Sequence, residues 1–176
     1  MPLSRLLMIW LMMVLPAAVW AADIDRFVGV YEGHTEFVQN DETQSRDLST
    51  TIAPTKTGFA LSWTSVTYRS DGRIKEKNYK IEFVPSPRAG IFGSAMKTNV
   101  FGKPEPLDPL NGEPFVWTRI AGDTFSTFSL FINEAGEYEM QEYHRTLADG
   151  GLDLVFRRVR NGAIEREIKA FLKRQD

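Results

Sequence analysis

Apolar residues in this chain recur at every second position, in one short segment after another, and that period restricts the fold class more than any other feature. Alternation of this kind places successive side chains on opposite faces of an extended strand, with one face buried. In the segment 27–38, Phe27, Gly29, Tyr31, Gly33, Thr35 and Phe37 share one face, while Val28, Val30, Glu32, His34, Glu36 and Val38 share the other. The first set is expected to look inward. The same phase returns in Phe59, Leu61 and Trp63, and again in Tyr79, Ile81 and Phe83 against Lys80 and Glu82. Segments 114–120, 123–133, 136–147 and 151–160 are likewise rich in aromatic and β-branched residues.

Turn chemistry separates these segments at Lys56-Thr57-Gly58, Ser70-Asp71-Gly72, Gly122-Asp123, Asn133–Gly136 and Asp149-Gly150-Gly151. Strands joined in sequence by short turns form an antiparallel meander. A meander of about eight to ten strands buries one face and hides its edges by closing into a barrel. The expected fold is therefore all-β, an antiparallel barrel of 8–10 strands. At the end of the chain Ile164, Ile168, Phe171 and Leu172 fall at helical spacing, which predicts a C-terminal α-helix packed on the outside of the barrel.

The N-terminus reads as a targeting segment. A single cation, Arg5, precedes an apolar run from Leu6 to Leu15, then Pro16 and small residues ending at Ala21, the pattern of a secretory signal peptide cleaved near Ala21. The alternative is an uncleaved anchor, since Leu6 to Ala22 is 17 residues, at the low end of what spans a bilayer. A signal peptide over 1–21 leaves residues 22–176 for one barrel domain in the periplasm, or outside the cell. There is no cysteine to staple or lipidate it. The remaining charges give a net of about −3, which argues against nucleic acid as a partner. From Arg157 onward seven cations face three acids. On a helix this is either a solvated face or a contact for anionic lipid or an envelope protein.

The first strand, Phe27-Val28-Gly29-Val30-Tyr31-Glu32-Gly33, resembles the Gly-x-Trp opening of lipocalins and the wider calycin group, with Tyr31 in place of Trp. The resemblance implies a ligand-binding barrel. It also implies a late-strand Arg stacked on the first-strand aromatic, a part for which Arg157 and Arg158 are the candidates.

Residues 85–114 interrupt the meander. This stretch holds six of the nine prolines, which keeps much of it out of a central strand, yet its middle carries Ile91, Phe92, Ala95, Met96, Val100 and Phe101. Long irregular segments in compact domains are often lids or binding loops. Two readings stand: a lid over a ligand, with Lys97, Arg88 and Lys103 offered to an anionic head group, or a plug in which Phe92, Met96 and Phe101 act as core.

Catalytic motifs fail on order and spacing. Ser94-Ala95-Met96-Lys97, Lys56-Thr57-Gly58 and Ser70-Asp71-Gly72 match fragments of penicillin-recognising serine enzymes, but K-T-G precedes S-x-x-K and both tripeptides sit at turns. Met96 and Ile91 stand where a phosphate loop ending at Lys97-Thr98 needs glycines. His34 sits among glutamates on the solvent phase. His144 shares a face with Tyr138, Met140 and Glu142; if that face looks inward, His144 could bond a ligand or ligate haem. No metal-ligand spacing and no cofactor motif is present. The sequence thus points away from an enzyme and toward an exported lipocalin-like protein binding a small amphipathic or hydrophobic ligand. The expected ligand-binding residues are Tyr31, Trp63, Phe92, Met96, Lys97, Phe101 and His144. The alternative is an envelope assembly protein that uses its surface and the basic C-terminal helix.

Overall fold

The computed structural model describes residues 23–39, 41–102, 104–105 and 107–175; the segment 1–21 read as a signal peptide and Lys103 lie outside the described residues. The barrel is built from β1 (Gly29–Gln39), β2 (Glu42–Pro54), β3 (Phe59–Tyr68), β4 (Ile74–Pro85), β5 (Ile91–Ser94), β8 (Phe115–Ala121), β9 (Thr124–Ile132), β10 (Tyr138–Ala148), β11 (Gly151–Arg160) and β12 (Ala163–Gln175). Every pairing is antiparallel, and the order β1-β12-β11-β10-β9-β8-β5-β4-β3-β2 closes on itself. Two further strands, β6 (Lys97–Thr98) and β7 (Pro104–Glu105), form a separate small hairpin, and a short 3-10 turn spans Pro109–Asn111. An all-β closed antiparallel barrel is what the alternation predicted, and ten antiparallel strands fit a calycin-like fold in general.

The C-terminal helix is not there. Residues 163–175 form β12, which pairs with β11 on one side and with β1 on the other, so the segment expected outside the barrel is the strand that closes it. The spacing of Ile164, Ile168 and Leu172 is four, which suits a helix and is also twice the strand period. Inside the barrel Ile168 and Leu172 are buried in phase with Arg166 and Ala170. A register shift between Arg158 and Val159 turns Ile164 outward, where it is 61% exposed.

The seam between β1 and β12 is short and tight. Ladder pairing covers Val30↔Gln175, Tyr31↔Arg174 and Glu32↔Lys173. Beyond it the Thr35 hydroxyl donates to the Lys169 carbonyl at 2.8 Å. Gly33 lies so close beneath β12 that a Cβ there would come within 2.3 Å of the Phe171 carbonyl oxygen.

One end of the barrel is filled. Phe59 packs against Phe83, Phe92 and Phe125 with ring centroids 5.3, 5.1 and 5.6 Å away, and Phe27 joins Phe125 at 5.8 Å. A helical turn at 23–25 brings Ile24 and Phe27 over this end, and both are buried. T-shaped and offset ring pairs add to the area each ring removes from water. The wall is incomplete on one side. Pairing of β4 with β5 runs only from Phe83 to Pro85, with one further bond from the Ala95 N–H to the Glu82 carbonyl at 2.8 Å. Residues 74–81 of β4 therefore have a strand neighbour on the β3 side alone, among the described residues.

Closure at the seam yields a direct test. Gly33→Ala forces backbone atoms of β1 and β12 apart, and should cost about 1–3 kcal/mol of unfolding free energy by chemical denaturation, the usual range for overpacking. An unchanged denaturation midpoint in that variant would refute the close approach.

Candidate functional site

The end opposite the phenylalanine cluster is open, and the strand period dictates what lines it. Climbing toward the open end, the inward side chains of β10 are Arg145, Tyr143 and Gln141; those of β11 are Leu154, Phe156 and Arg158; those of β12 are Ile168 and Arg166. On β2 the series is Thr50, Leu48, Arg46 and Gln44, and on β3 it is Trp63, Ser65 and Thr67. These residues enclose a cavity of about 270 Å³.

The cavity is layered. Its lowest polar group is Arg145, 1% exposed, whose Nη1 donates to Thr127 Oγ1 at 3.3 Å while its Nε is buried without a hydrogen-bond partner. The guanidinium sits 5.5 Å from the Tyr143 ring, 5.8 Å from Phe125 and 5.9 Å from Trp63, so aromatic faces supply most of its electrostatic compensation. Above it runs a belt of rings. Tyr79 stacks on Trp63 at 4.8 Å, Trp63 meets Tyr143 at 5.5 Å, and Tyr143 meets Phe156 at 4.8 Å. Burial pushes the Tyr143 phenol up to about 12, which keeps it neutral, and it donates to Gln141 Oε1 at 3.2 Å.

Above the belt come Arg46, Arg158 and Arg166. Arg46 lies over the Phe37 ring at 4.6 Å and donates from Nε to Thr67 Oγ1 at 2.9 Å. Arg158 and Arg166 are directly opposed across the β11–β12 ladder. Arg158 Nε lies 3.3 Å from Glu139 Oε1 but makes no aligned hydrogen bond with it. That same carboxylate already accepts from Arg160 at 3.0 Å. No acidic side chain lines the cavity itself, among the described residues. Lys75, Lys77 and Arg69 stand at the rim. Burial, and then repulsion from Arg166, pull the pKa of Arg46 down to about 10; burial and Arg158 lower that of Arg166. These cations remain charged at neutral pH, and the fold bears the cost.

The residues expected to form a site are not gathered in one place. Trp63 lines the cavity. Tyr31 is 1% exposed below it, its hydroxyl donating to the Phe27 carbonyl at 2.9 Å, and the Arg174 guanidinium lies 5.5 Å above its ring and donates to the Val28 carbonyl. The late-strand Arg on the first-strand aromatic is thus Arg174. Of the two expected candidates, Arg157 pairs with Glu167 at 2.7 Å and Arg158 faces the cavity. Phe92 belongs to the phenylalanine cluster. Met96 and Phe101 are 54% and 84% exposed, and Lys97 pairs with Glu113 at 3.4 Å. None of the described residues between 92 and 114 lines the cavity.

His144 is on the outer wall, because Tyr143 and Arg145 occupy the inward phase of β10. Its Nδ1 is 2.9 Å from Ser126 Oγ and its Nε2 is 3.1 Å from Glu142 Oε2. A chain of serine, imidazole and carboxylate has catalytic overtones, but Ser126 is 8% exposed on a sheet whose neighbouring residues are paired on both sides. No cluster of three or more metal-ligating side chains occurs among the described residues. What sequence reasoning missed was the arginine layer. The alternation of Gln44, Arg46 and Leu48, and of Arg158 with Phe156, would have exposed it had polar residues been allowed on the inner face.

In comparisons with known proteins, no family model matches this chain and no curated protein matches it.

Arg145 provides a test of the layered interior. Burial holds its pKa at about 10, below the free value, so the folded state disfavours the charge at any pH below about 10 and recovers that stability only as pH climbs past it. Arg145→Met should therefore leave unfolding free energy equal or raise it by up to about 1–4 kcal/mol, as hydrophobic replacement of buried charge often does. A loss above about 2 kcal/mol in urea titrations would show that the cation is compensated better than its contacts indicate.

Proposed function

We propose that this chain is an exported binding protein of lipocalin-like design that holds a small amphipathic molecule in the open half of its barrel. The observation that carries the reading is the division of the interior. Half is packed with phenylalanine, and half is a cavity of about 270 Å³ with aromatic walls and polar groups toward the mouth. The lining is more polar than that of most small-molecule sites, and the aromatic belt beside a polar layer suits a ligand with both an apolar body and a polar head. At about 270 Å³ the space falls just below the roughly 300–1,000 Å³ usual for ligand pockets, so it suits a compact molecule rather than a long acyl chain. Support for export comes from the sequence 1–21, with its cation, apolar run and small residues before Ala21. The periplasm is the compartment that this segment favours.

The cavity reading is tested by filling the space. The wild-type protein should bind the uncharged dye N-phenyl-1-naphthylamine at one site, with energy transfer from Trp63. Leu48→Trp, which projects an indole into the cavity, should weaken that binding by about tenfold or more while circular dichroism stays unchanged. Equal dye affinity in both proteins would place the dye elsewhere and sink the proposal.

A further inference from the structure

The cavity carries a charge that its own walls do not balance. Arg46, Arg158 and Arg166 occupy one layer, Arg145 lies beneath them with a buried and unpartnered Nε, and no carboxylate lines the space among the described residues. The acid that approaches Arg158, Glu139, is shared between Arg158 and Arg160. Placing like charges together in a partly desolvated site costs free energy in the empty protein. The direction of the Arg46 and Arg166 shifts agrees, since each is lowered by burial and by a neighbouring guanidinium. An arrangement that is unfavourable when empty becomes favourable when an anion enters, because each guanidinium offers a planar fork of donors matched to carboxylate or phosphate oxygens.

We propose that the ligand is a small amphipathic oxyanion, with a carboxylate or phosphate head held by Arg46, Arg158 and Arg166 and an aromatic body against Trp63, Tyr143 and Phe156. This rests on the reading of the cavity as a ligand site and adds the chemical class of the occupant. The belt of rings offers flat apolar faces next to the arginine layer, so head and body are recognised at adjacent heights in one space. Lys75, Lys77 and Arg69 at the rim add a positive field at the mouth, which raises the local concentration of an approaching anion. Lys97 takes no part, being paired with Glu113 away from the cavity.

The test compares two dyes that share a ring system. 8-Anilinonaphthalene-1-sulfonate carries the anionic head that N-phenyl-1-naphthylamine lacks. The wild-type protein should bind the sulfonate more tightly, with affinity falling as salt is raised. In Arg46→Gln/Arg166→Gln, sulfonate affinity should drop about tenfold or more, the loss expected for a charge-assisted hydrogen-bonding pair, while the neutral dye changes less than about twofold. The same double variant should melt at a higher temperature than wild type without ligand, since removing mutual repulsion relieves the empty site. A purely structural role for these arginines would lower it. Phenyl phosphate and phenylacetate should displace the sulfonate dye where benzyl alcohol does not, and the stronger of the two anions identifies the head group. If both dyes bind alike and the arginine substitutions affect neither, or if benzyl alcohol competes as well as the anions, the oxyanion inference is overturned and the cavity reading stands. If the wild-type protein binds neither dye, both fall together.

Discussion

The whole barrel depends on the approach of β1 to β12. A ten-stranded sheet gains nothing from its alternating faces unless the first and last strands meet, and here they meet over three ladder pairs, a threonine hydroxyl and a glycine with no room for a side chain. Closing a sheet sets strand tilt and interior width together. Once the seam is fixed, the inward phase of every other strand follows from register alone. Arg174, which reaches from β12 across the Tyr31 ring to the Val28 carbonyl, pins the same seam from the strand's far end.

With closure given, the interior divides by residue type. Phenylalanine side chains from β3, β4, β5 and β9, with Phe27 below β1, fill one end as a buried core. At the other end the same inward positions carry arginine, glutamine and threonine. Such residues cannot collapse on each other as phenylalanine does, because their polar atoms need partners and their charges repel. The cavity is therefore a consequence of composition: the strands are long enough to extend beyond the core, and what they carry there does not fill the space.

Legibility in the sequence follows the same division. β3 and β11 announce themselves because their inward residues, Phe59, Leu61 and Trp63 on one and Leu152, Leu154 and Phe156 on the other, are apolar and buried. β2 gives a weaker signal, since its inward series of Gln44, Arg46, Leu48, Thr50 and Ile52 turns apolar only near the closed end. The strand period is intact, but hydrophobicity no longer reports it. β12 misleads for another reason: Ile168 and Leu172 are four apart, a spacing that helix and strand share, and its other large apolar residues, Ile164 and Phe171, face outward. His144 and Arg158 show the same difficulty at the level of function. Which face of a strand looks inward is decided by bulky neighbours such as Tyr143 and Phe156, and a sequence rule that reserves the interior for apolar side chains assigns the histidine inward and overlooks the arginine.

The half-paired β4 is held in the wall from one side. Among the described residues, positions 74–81 of this strand are bonded to β3 alone, and the side chains there include Lys75, Lys77 and Lys80, charges that discourage a foreign strand from docking on the free side. With no ladder on its outer edge, the described part of this strand is held in the wall by β3 and by the stack of Tyr79 on Trp63. Local opening there breaks one ladder rather than two.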